Sequence, residues 1–428
     1  MKSVNKPFKR FLLLWAGEWI SSIGSGLTAF ALGIYVFQTT QSATGVSLIT
    51  LCAFLPTILL SPFAGVLADR HDRRLMMILG DSCSALGLVY IVIMMMTGHV
   101  ELWQLCFGVT VSSIFASLME PAYKATITDL LDEEQFAKAS GLVQLAASSK
   151  YLLSPVIAGL LLTVTGINAI LLIDIATFFV TVSVTLAVKR SIVAPAVRTE
   201  RQSYFKELAH GWHTLTENKG VILLVLLITV VTFCMGFLQT LFTPMLLPLA
   251  DAKTLGISES ICACGMLVTS LALGIWGKKQ NLIQMLCIGL CGAGVFMALT
   301  GCATNIVLIT AAGFLFFASL PFINTSADVL VRTNIAGEAQ GRVWGLIGVI
   351  SQAGFVVAYA ISGFLADAVF NPLLASGGAL SQTVGKVIGI GNGRGIGLML
   401  IVLGLPIVVL AVIAFHVKAI RNLVPPIK

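Results

Sequence analysis

Three charged side chains stand deep inside apolar runs of this 428-residue chain: Glu18, Lys150 and Asp174. A charge at the centre of a bilayer-spanning helix costs about 2.5–3.5 kcal/mol, so each needs a partner or a task. Ser22 and Ser25 follow Glu18 at i+4 and i+7, which sets the three on one helical face. A polar stripe on an apolar helix faces a cavity, and a carboxyl group there can take up and release protons. The plainer reading is a neutral Glu18 hydrogen-bonded to a neighbouring helix. Lys150 has Gln144, Ser148 and Tyr151 beside it, and Glu18 is the natural partner for its charge. A static, charge-cancelling pair explains both residues equally. Asp174 fits proton entry or local capping. Glu120, before Pro121, fits a gate network better than proton transfer. Further along the chain no acid lies deep; Gln239, Asn324, Gln352 and Tyr359 are the polar candidates for a cavity lining, each also explained by helix packing.

The elements that must position these residues follow from composition. Hydrophobic residues make up 57% and charged residues 11%, under half the charged fraction of an ordinary soluble domain. Such a chain cannot cover a water-facing surface, and the remaining solvent is lipid. Apolar runs long enough to cross a bilayer are expected near 11–37, 44–67, 75–97, 102–123, 137–163 and 168–188. They resume near 220–248, 256–276, 282–300, 304–327, 343–369 and 395–417. The first run is too long for the core of a cleaved signal peptide and is expected to be retained. The nine cysteines fall almost entirely in apolar runs and read as packing. No cofactor or metal motif is present: no His cluster, no HExxH, no P-loop and no nucleotide-binding glycine pattern, which disfavours a membrane enzyme.

Lysine and arginine orient the chain. With both termini cytoplasmic, the inner segments hold 22 of these residues and the outer segments 3, and a missed helix between the halves would destroy that asymmetry. The net charge of +7 therefore belongs to the inner face and not to a nucleic-acid site. The expected organisation is a six-helix bundle over 1–188, a cytoplasmic linker over 189–219 with an interfacial helix near 203–218, and a second six-helix bundle over 220–428. The glycine-rich stretch 371–394 is expected to be flexible. The halves also echo each other: Phe115-Ala116-Ser117-Leu118 recurs as Phe317-Ala318-Ser319-Leu320 at the same topological place, and about 23 residues later Gly141-Leu142 recurs as Gly345-Leu346. Duplicated six-helix halves place a substrate between them near the midplane.

Between the second and third runs lies Gly65-Val66-Leu67-Ala68-Asp69-Arg70-His71-Asp72-Arg73-Arg74. Gly65 admits the close approach of another helix. Asp69 ends its helix, where the helix dipole disfavours an acid and a partner is needed. This loop resembles the signature loop of the major facilitator superfamily. Trp15-Ala16-Gly17, Glu133-Glu134-Gln135, Ser154-Pro155, Asn168-Ala169-Ile170, Gly341-Arg342-Val343 and Ser362-Gly363-Phe364-Leu365-Ala366-Asp367 are similar to the macrolide-efflux branch of proton-driven drug exporters. The second half retains only Gly277-Lys278-Lys279 of the loop, and the antiporter pattern of the fifth helix is reduced to Ser154-Pro155 and Gly159.

The resemblance implies an all-α membrane protein of twelve transmembrane helices in two bundles, working as a monomer in the cell's inner (plasma) membrane by alternating access. In that family the signature aspartate latches the second helix to the eleventh in the outward-open state. The role falls on Asp69, with Arg73 as companion and Gly65, Arg70, Arg74 and Glu120 around it. The implied activity is export of an amphipathic or hydrophobic small molecule driven by protons. Two rivals remain: a uniporter, importer or lipid mover with Glu18 and Lys150 as a fixed pair, and a non-transporting membrane sensor or partner-binding protein.

Overall fold

The computed structural model describes residues 6–189, 212–276, 281–391 and 393–423. Among them every regular element is a helix, which is how a chain in lipid satisfies its own backbone N–H and C=O groups. In chain order, α1 is Lys6–Thr40, α2 Ala43–Arg70, α3 Arg73–Met96, α4 Leu102–Leu130, α5 Glu133–Leu152, α6 Ser154–Val164 and α7 Ile167–Lys189. Then come α8 Lys219–Leu246, α9 Ala252–Trp276, α10 Leu282–Cys302, α11 Ile306–Asn334 and α12 Gly337–Leu365. A one-turn π-helix, Ala366–Phe370, leads into α13 Asn371–Leu374, α14 Gly385–Ile388, α15 Arg394–His416 and α16 Lys418–Arg421.

Eleven of the described helices are long and apolar enough to cross a membrane, and α5 with α6 supply a twelfth span bent by 40°. The bend has a chemical cause. Pro155 has no N–H to donate and its ring blocks continuation of the preceding turn, so α5 ends at Leu152 and α6 begins with the proline in its first turn. Several helices outrun their apolar stretches. α4 continues to Leu130 and α11 to Asn334, because helical hydrogen bonding persists where the chain leaves lipid. Asn218, Asn281 and Asn305 each cap the N-terminus that follows with their side-chain oxygen.

The chain divides into two compact units. Unit 1 comprises Met1–Gln41, Leu48–Glu200 and Ala252–Ser260; unit 2 comprises Ser42–Ser47, Arg201–Asp251 and Ile261–Lys428. Two helices thus belong to both: α2 begins in unit 2 and α9 begins in unit 1. In unit 1, α3 packs on α4 and α7, and α1 on α7, α5 and α6; in unit 2, α10 packs on α15 and α11, and α8 on α12. Phe8, Phe11, Met76, Met77, Met119, Tyr123 and Ile127 form the centre of a buried cluster in unit 1. Small residues carry the closest crossings. A Cβ at Gly87 would run into the Gly108 carbonyl and lie 2.7 Å from Ser112 N.

The expected linker and interfacial helix of 189–219 lie largely outside the described residues; 212–217 are helical. The stretch 371–394, expected to be flexible, is folded. Leu380 N donates to Leu373 O at 3.0 Å, Gly385 N to Leu380 O at 2.9 Å and Gly391 N to Leu374 O at 3.0 Å. Glycine makes this compact path possible: Gly393 takes φ 81° at the start of α15, against the backbone of Met245.

Gly87→Leu is expected to destabilise the purified protein by about 1–3 kcal/mol through overpacking. Gly274→Leu, where a Cβ would meet nothing within 4 Å among the described residues, is expected to leave it unchanged. Thermal unfolding in detergent, comparing the two variants, checks the contrast.

Candidate functional site

The polar groups inside unit 1 gather around α1. Along one side, α1 is stitched to α5: Trp15 Nε1 donates to the Leu142 carbonyl at 2.6 Å and Trp19 Nε1 to Ser149 Oγ at 2.8 Å. The two indoles stack with centroids 5.2 Å apart. Ser22 Oγ reaches the Ala146 carbonyl at 3.5 Å, and Ser154 Oγ donates to the Ile23 carbonyl at 3.0 Å, pinning the bend of the fifth span to α1. Toward α7, Thr181 Oγ1 donates to Gly17 O at 3.3 Å and Ser25 Oγ to Asp174 Oδ1 at 3.5 Å. Gly24 makes room for that carboxylate, since a Cβ there would lie 2.7 Å from Asp174 Oδ1. Of the expected stripe, therefore, Ser22 turns to the α5 backbone while Ser25 joins Asp174, which is 1% exposed.

Glu18 sits between those two sets of contacts, and its Oε2 is buried with no hydrogen-bond partner among the described residues. Lys150 does not neutralise it. Among the described residues Lys150 makes no ion pair within 4 Å, and its aliphatic stem lies against Gly26. Gly26 is eight residues beyond Glu18, about 12 Å along the helix at 1.5 Å per residue. The expected Glu18–Lys150 pair is therefore no contact ion pair; Lys150 stands within electrostatic reach of both Glu18 and Asp174.

Sequence reasoning passed over Asp81. It lies on α3, is 4% exposed, and its Oδ2 is buried without a partner. Three residues further on, Ser84 Oγ bonds the Ser112 carbonyl at 3.0 Å, which holds this stretch of α3 against α4. Asp81 is within electrostatic reach of both Glu18 and Asp174. Tyr123 on α4 adds a buried, unpartnered hydroxyl within reach of Glu18. The signal was available: an acid eight residues after Arg73 in an apolar run meets the criterion that singled out Glu18.

The signature loop is described in part. The side chain of Asp69 lies outside the described residues. Arg73, expected to accompany it, donates to Asp129 Oδ2 at 2.6 Å and to the Ala125 carbonyl at 3.1 Å, so α3 is tied to α4. Asp72 caps α3 by accepting from Arg74 N at 3.0 Å; Arg74 is buried and Arg70 exposed. Two expectations are corrected. A Cβ on Gly65 would meet nothing within 4 Å among the described residues, so no helix crosses closely there in this conformation. Glu120 pairs with Lys124, one turn along the same exposed face, at 2.6 Å, because i and i+4 side chains on a helix are neighbours.

In unit 2, two of the four polar candidates meet. Tyr359 Oη donates to Gln239 Oε1 at 2.8 Å, linking α12 to α8, while Asn324 and Gln352 are exposed. In unit 1, Gln144 and Tyr151 on α5 are exposed as well. Among the described residues no three of His, Cys, Asp or Glu converge to hold a metal ion.

Residues 14–359 match the family model described as Major Facilitator Superfamily. The chain is 29% identical over 380 residues to macrolide efflux protein A of Streptococcus pyogenes, covering 86% of this chain and 92% of that one. It is 24% identical over 396 residues to multidrug resistance protein 2 of Bacillus subtilis, covering 88% and 94%. The crystal structure of the nucleoside transporter NupG superposes with a TM-score of 0.76 over 96% of this chain and 100% of that one, at 13% identity, a likeness of fold.

The orphan oxygen of Asp81 gives a test of what the residue is for. A carboxylate kept for stability holds hydrogen bonds that its amide would lose. Asp81→Asn is expected to keep or raise the melting temperature of the purified protein; a fall of several degrees would assign Asp81 a structural task instead.

Proposed function

We propose that this chain, which belongs to the major facilitator superfamily, is a proton-coupled exporter of amphipathic or hydrophobic small molecules of the macrolide class. The observation that carries the reading is the pair of buried carboxylates, Glu18 and Asp81, each with an oxygen that no described residue satisfies. A carboxylate locked in a salt bridge stores charge and does little else. One without a fixed partner is free to trade its proton, and intramembrane acids of this kind mark proton relays. The similarity to macrolide efflux protein A supports the substrate class.

The residues suggest a route. Asp174 is held at the level of Ser25, and Glu18 lies seven residues, or about 10 Å, away along α1. Asp81 on α3 stands within reach of both. A proton passes among the three carboxyl groups, and substrate is exported in exchange for it. Tyr123 adds a buried hydroxyl within electrostatic reach of Glu18, and Lys150 sets the local potential. Gln239 and Tyr359 form the polar lining of the second bundle. The bundles 1–188 and 220–428 rock about the linker 189–219, in the plasma membrane, with both termini cytoplasmic, an orientation that the Lys and Arg asymmetry supports. The protein works as a monomer. One charge crossing 100 mV supplies about 2.3 kcal/mol, near fifty-fold accumulation per proton.

The rival is a uniporter, importer or lipid mover of the same fold. The fixed Glu18–Lys150 pair on which it rested is not what the geometry offers, which favours the exporter.

Efflux of a radiolabelled macrolide from cells that lack their own exporters decides between them. Expression is expected to lower accumulation several-fold, and a protonophore to restore it. Glu18→Gln and Asp81→Asn are each expected to cut the efflux rate at least tenfold and flatten its dependence on external pH. Efflux that survives the protonophore, or runs at the parent rate in Glu18→Gln, would sink proton coupling through this site.

A further inference from the structure

Asp367 stands in the π-helical turn that ends α12, and it binds the beginning of a helix more than three hundred residues away. Its Oδ2 accepts from Ser42 Oγ at 2.7 Å, Thr44 N at 2.8 Å and Thr44 Oγ1 at 2.8 Å; its Oδ1 accepts from Ala43 N at 3.2 Å. One turn earlier Gly363 lets the backbones close, since a Cβ there would collide with Ser47 Oγ and the Ala43 carbonyl. Ser47 is 1% exposed in that contact and Ser362 is wholly buried.

We propose that Asp367 is a positioning residue of the transport cycle, a releasable latch that holds the first turn of α2 in unit 2. Three observations point past an ordinary helix cap. First, α2 already has a local cap: Ser42 Oγ accepts from Gly45 N at 3.3 Å. A helix start needs only one or two such acceptors, so the remote carboxylate ties two segments together and does more than finish α2. Second, the tie falls where the chain divides. Ser42–Ser47 belongs to unit 2, whereas α2 from Leu48 onward belongs to unit 1. Any motion that carries α2 with unit 1 must break these four hydrogen bonds, and any motion that restores them returns α2 to the same register. Third, the bonding residue sits in a π-helical turn, Ala366–Phe370, a rare element that occurs frequently at functional sites. The turn displaces Asp367 from the regular spiral of α12 and aims it at the α2 N-terminus, where the helix dipole favours a negative charge.

The sequence carries a matching sign. Gly363-x-Leu365-Ala366-Asp367 repeats Gly65-x-Leu67-Ala68-Asp69 at four of five positions with the same spacing. One copy ends α12 on the start of α2; the other ends α2 itself. The same five-residue pattern thus closes both helices, and at the α12 copy the glycine makes the close approach and the aspartate one turn later is the acceptor.

This inference rests on the chain being a transporter and not on protons or macrolides, so its test uses no substrate. In a background with the nine cysteines replaced, Ser47→Cys reports opening by its rate of reaction with a hydrophilic maleimide in lipid nanodiscs. Asp367→Asn is expected to speed that reaction at least fivefold with little change in melting temperature. Ser42→Ala with Thr44→Val, which removes the hydroxyl donors from the other side, should do the same. Combining all three substitutions should add little further, as expected for one shared interaction. A labelling rate for Asp367→Asn within twofold of the parent overturns the latch, as do strictly additive effects. Should Asp367→Asn fail to fold, the Ser42→Ala/Thr44→Val variant alone decides by the same thresholds.

Discussion

A polar group in hydrocarbon must find its partner inside the protein, and nearly everything else in this structure follows from that constraint. It makes the described chain helical from end to end. It turns the serines and threonines back onto carbonyls of their own or neighbouring helices, as Ser117 does with Ile114, Ser319 with Leu315 and Thr232 with Ser351. The repeated Phe-Ala-Ser-Leu segments serve this end in both halves: each serine is buried and satisfied within its own helix. With polar demands met locally, association between helices falls to shape, and glycines such as Gly87, Gly108, Gly294 and Gly404 let backbones touch.

Against that background the exceptions carry meaning. Most buried polar side chains here have a described bond; among those that retain an atom without one, Glu18 and Asp81 are the carboxylates and Tyr123 lies within electrostatic reach of Glu18. All three lie in unit 1, on α1, α3 and α4, inside or beside its tightest apolar cluster. Burying an unsatisfied carboxyl oxygen costs free energy that packing must offset, and such sites persist where the group is needed in more than one protonation or bonding state. In unit 2 the polar candidates Gln239 and Tyr359 bond each other, and no carboxylate oxygen among its described residues is buried without a partner.

The fold was legible because it depends on averages. Twelve apolar runs, a glycine-rich stretch and an asymmetric scatter of Lys and Arg survive errors of several residues, and the spans begin and end within seven residues of the expected runs. The site depended on particulars that averages hide. Glu18 and Asp174 stood out as isolated charges, but whether Glu18 meets Lys150 hinges on an eight-residue offset along α1 that only the packing of α5 reveals. Asp81 was missed because it follows the charged loop closely enough to look like its continuation; the α3–α4 crossing is what buries it. Gly65 was over-read for the opposite reason. A glycine permits close approach without requiring it, and in this conformation the approach is made at Gly363.

That last exchange concerns the helices that pass from one unit to the other. Each of the two helices shared between units, α2 and α9, changes allegiance within its first turns, and both changes are made through a glycine with no room for a side chain. Gly363 lies on the Ala43–Thr44 backbone of α2, and Gly256 of α9 lies on the Pro155 carbonyl at the bend of the fifth span. The second contact touches the α6 N-terminus, next to Ser154, which is itself bonded to Ile23 of α1 between Glu18 and Ser25. The start of α9 and the stretch of α1 that holds Glu18 and Ser25 thus meet the same two adjacent residues, Ser154 and Pro155.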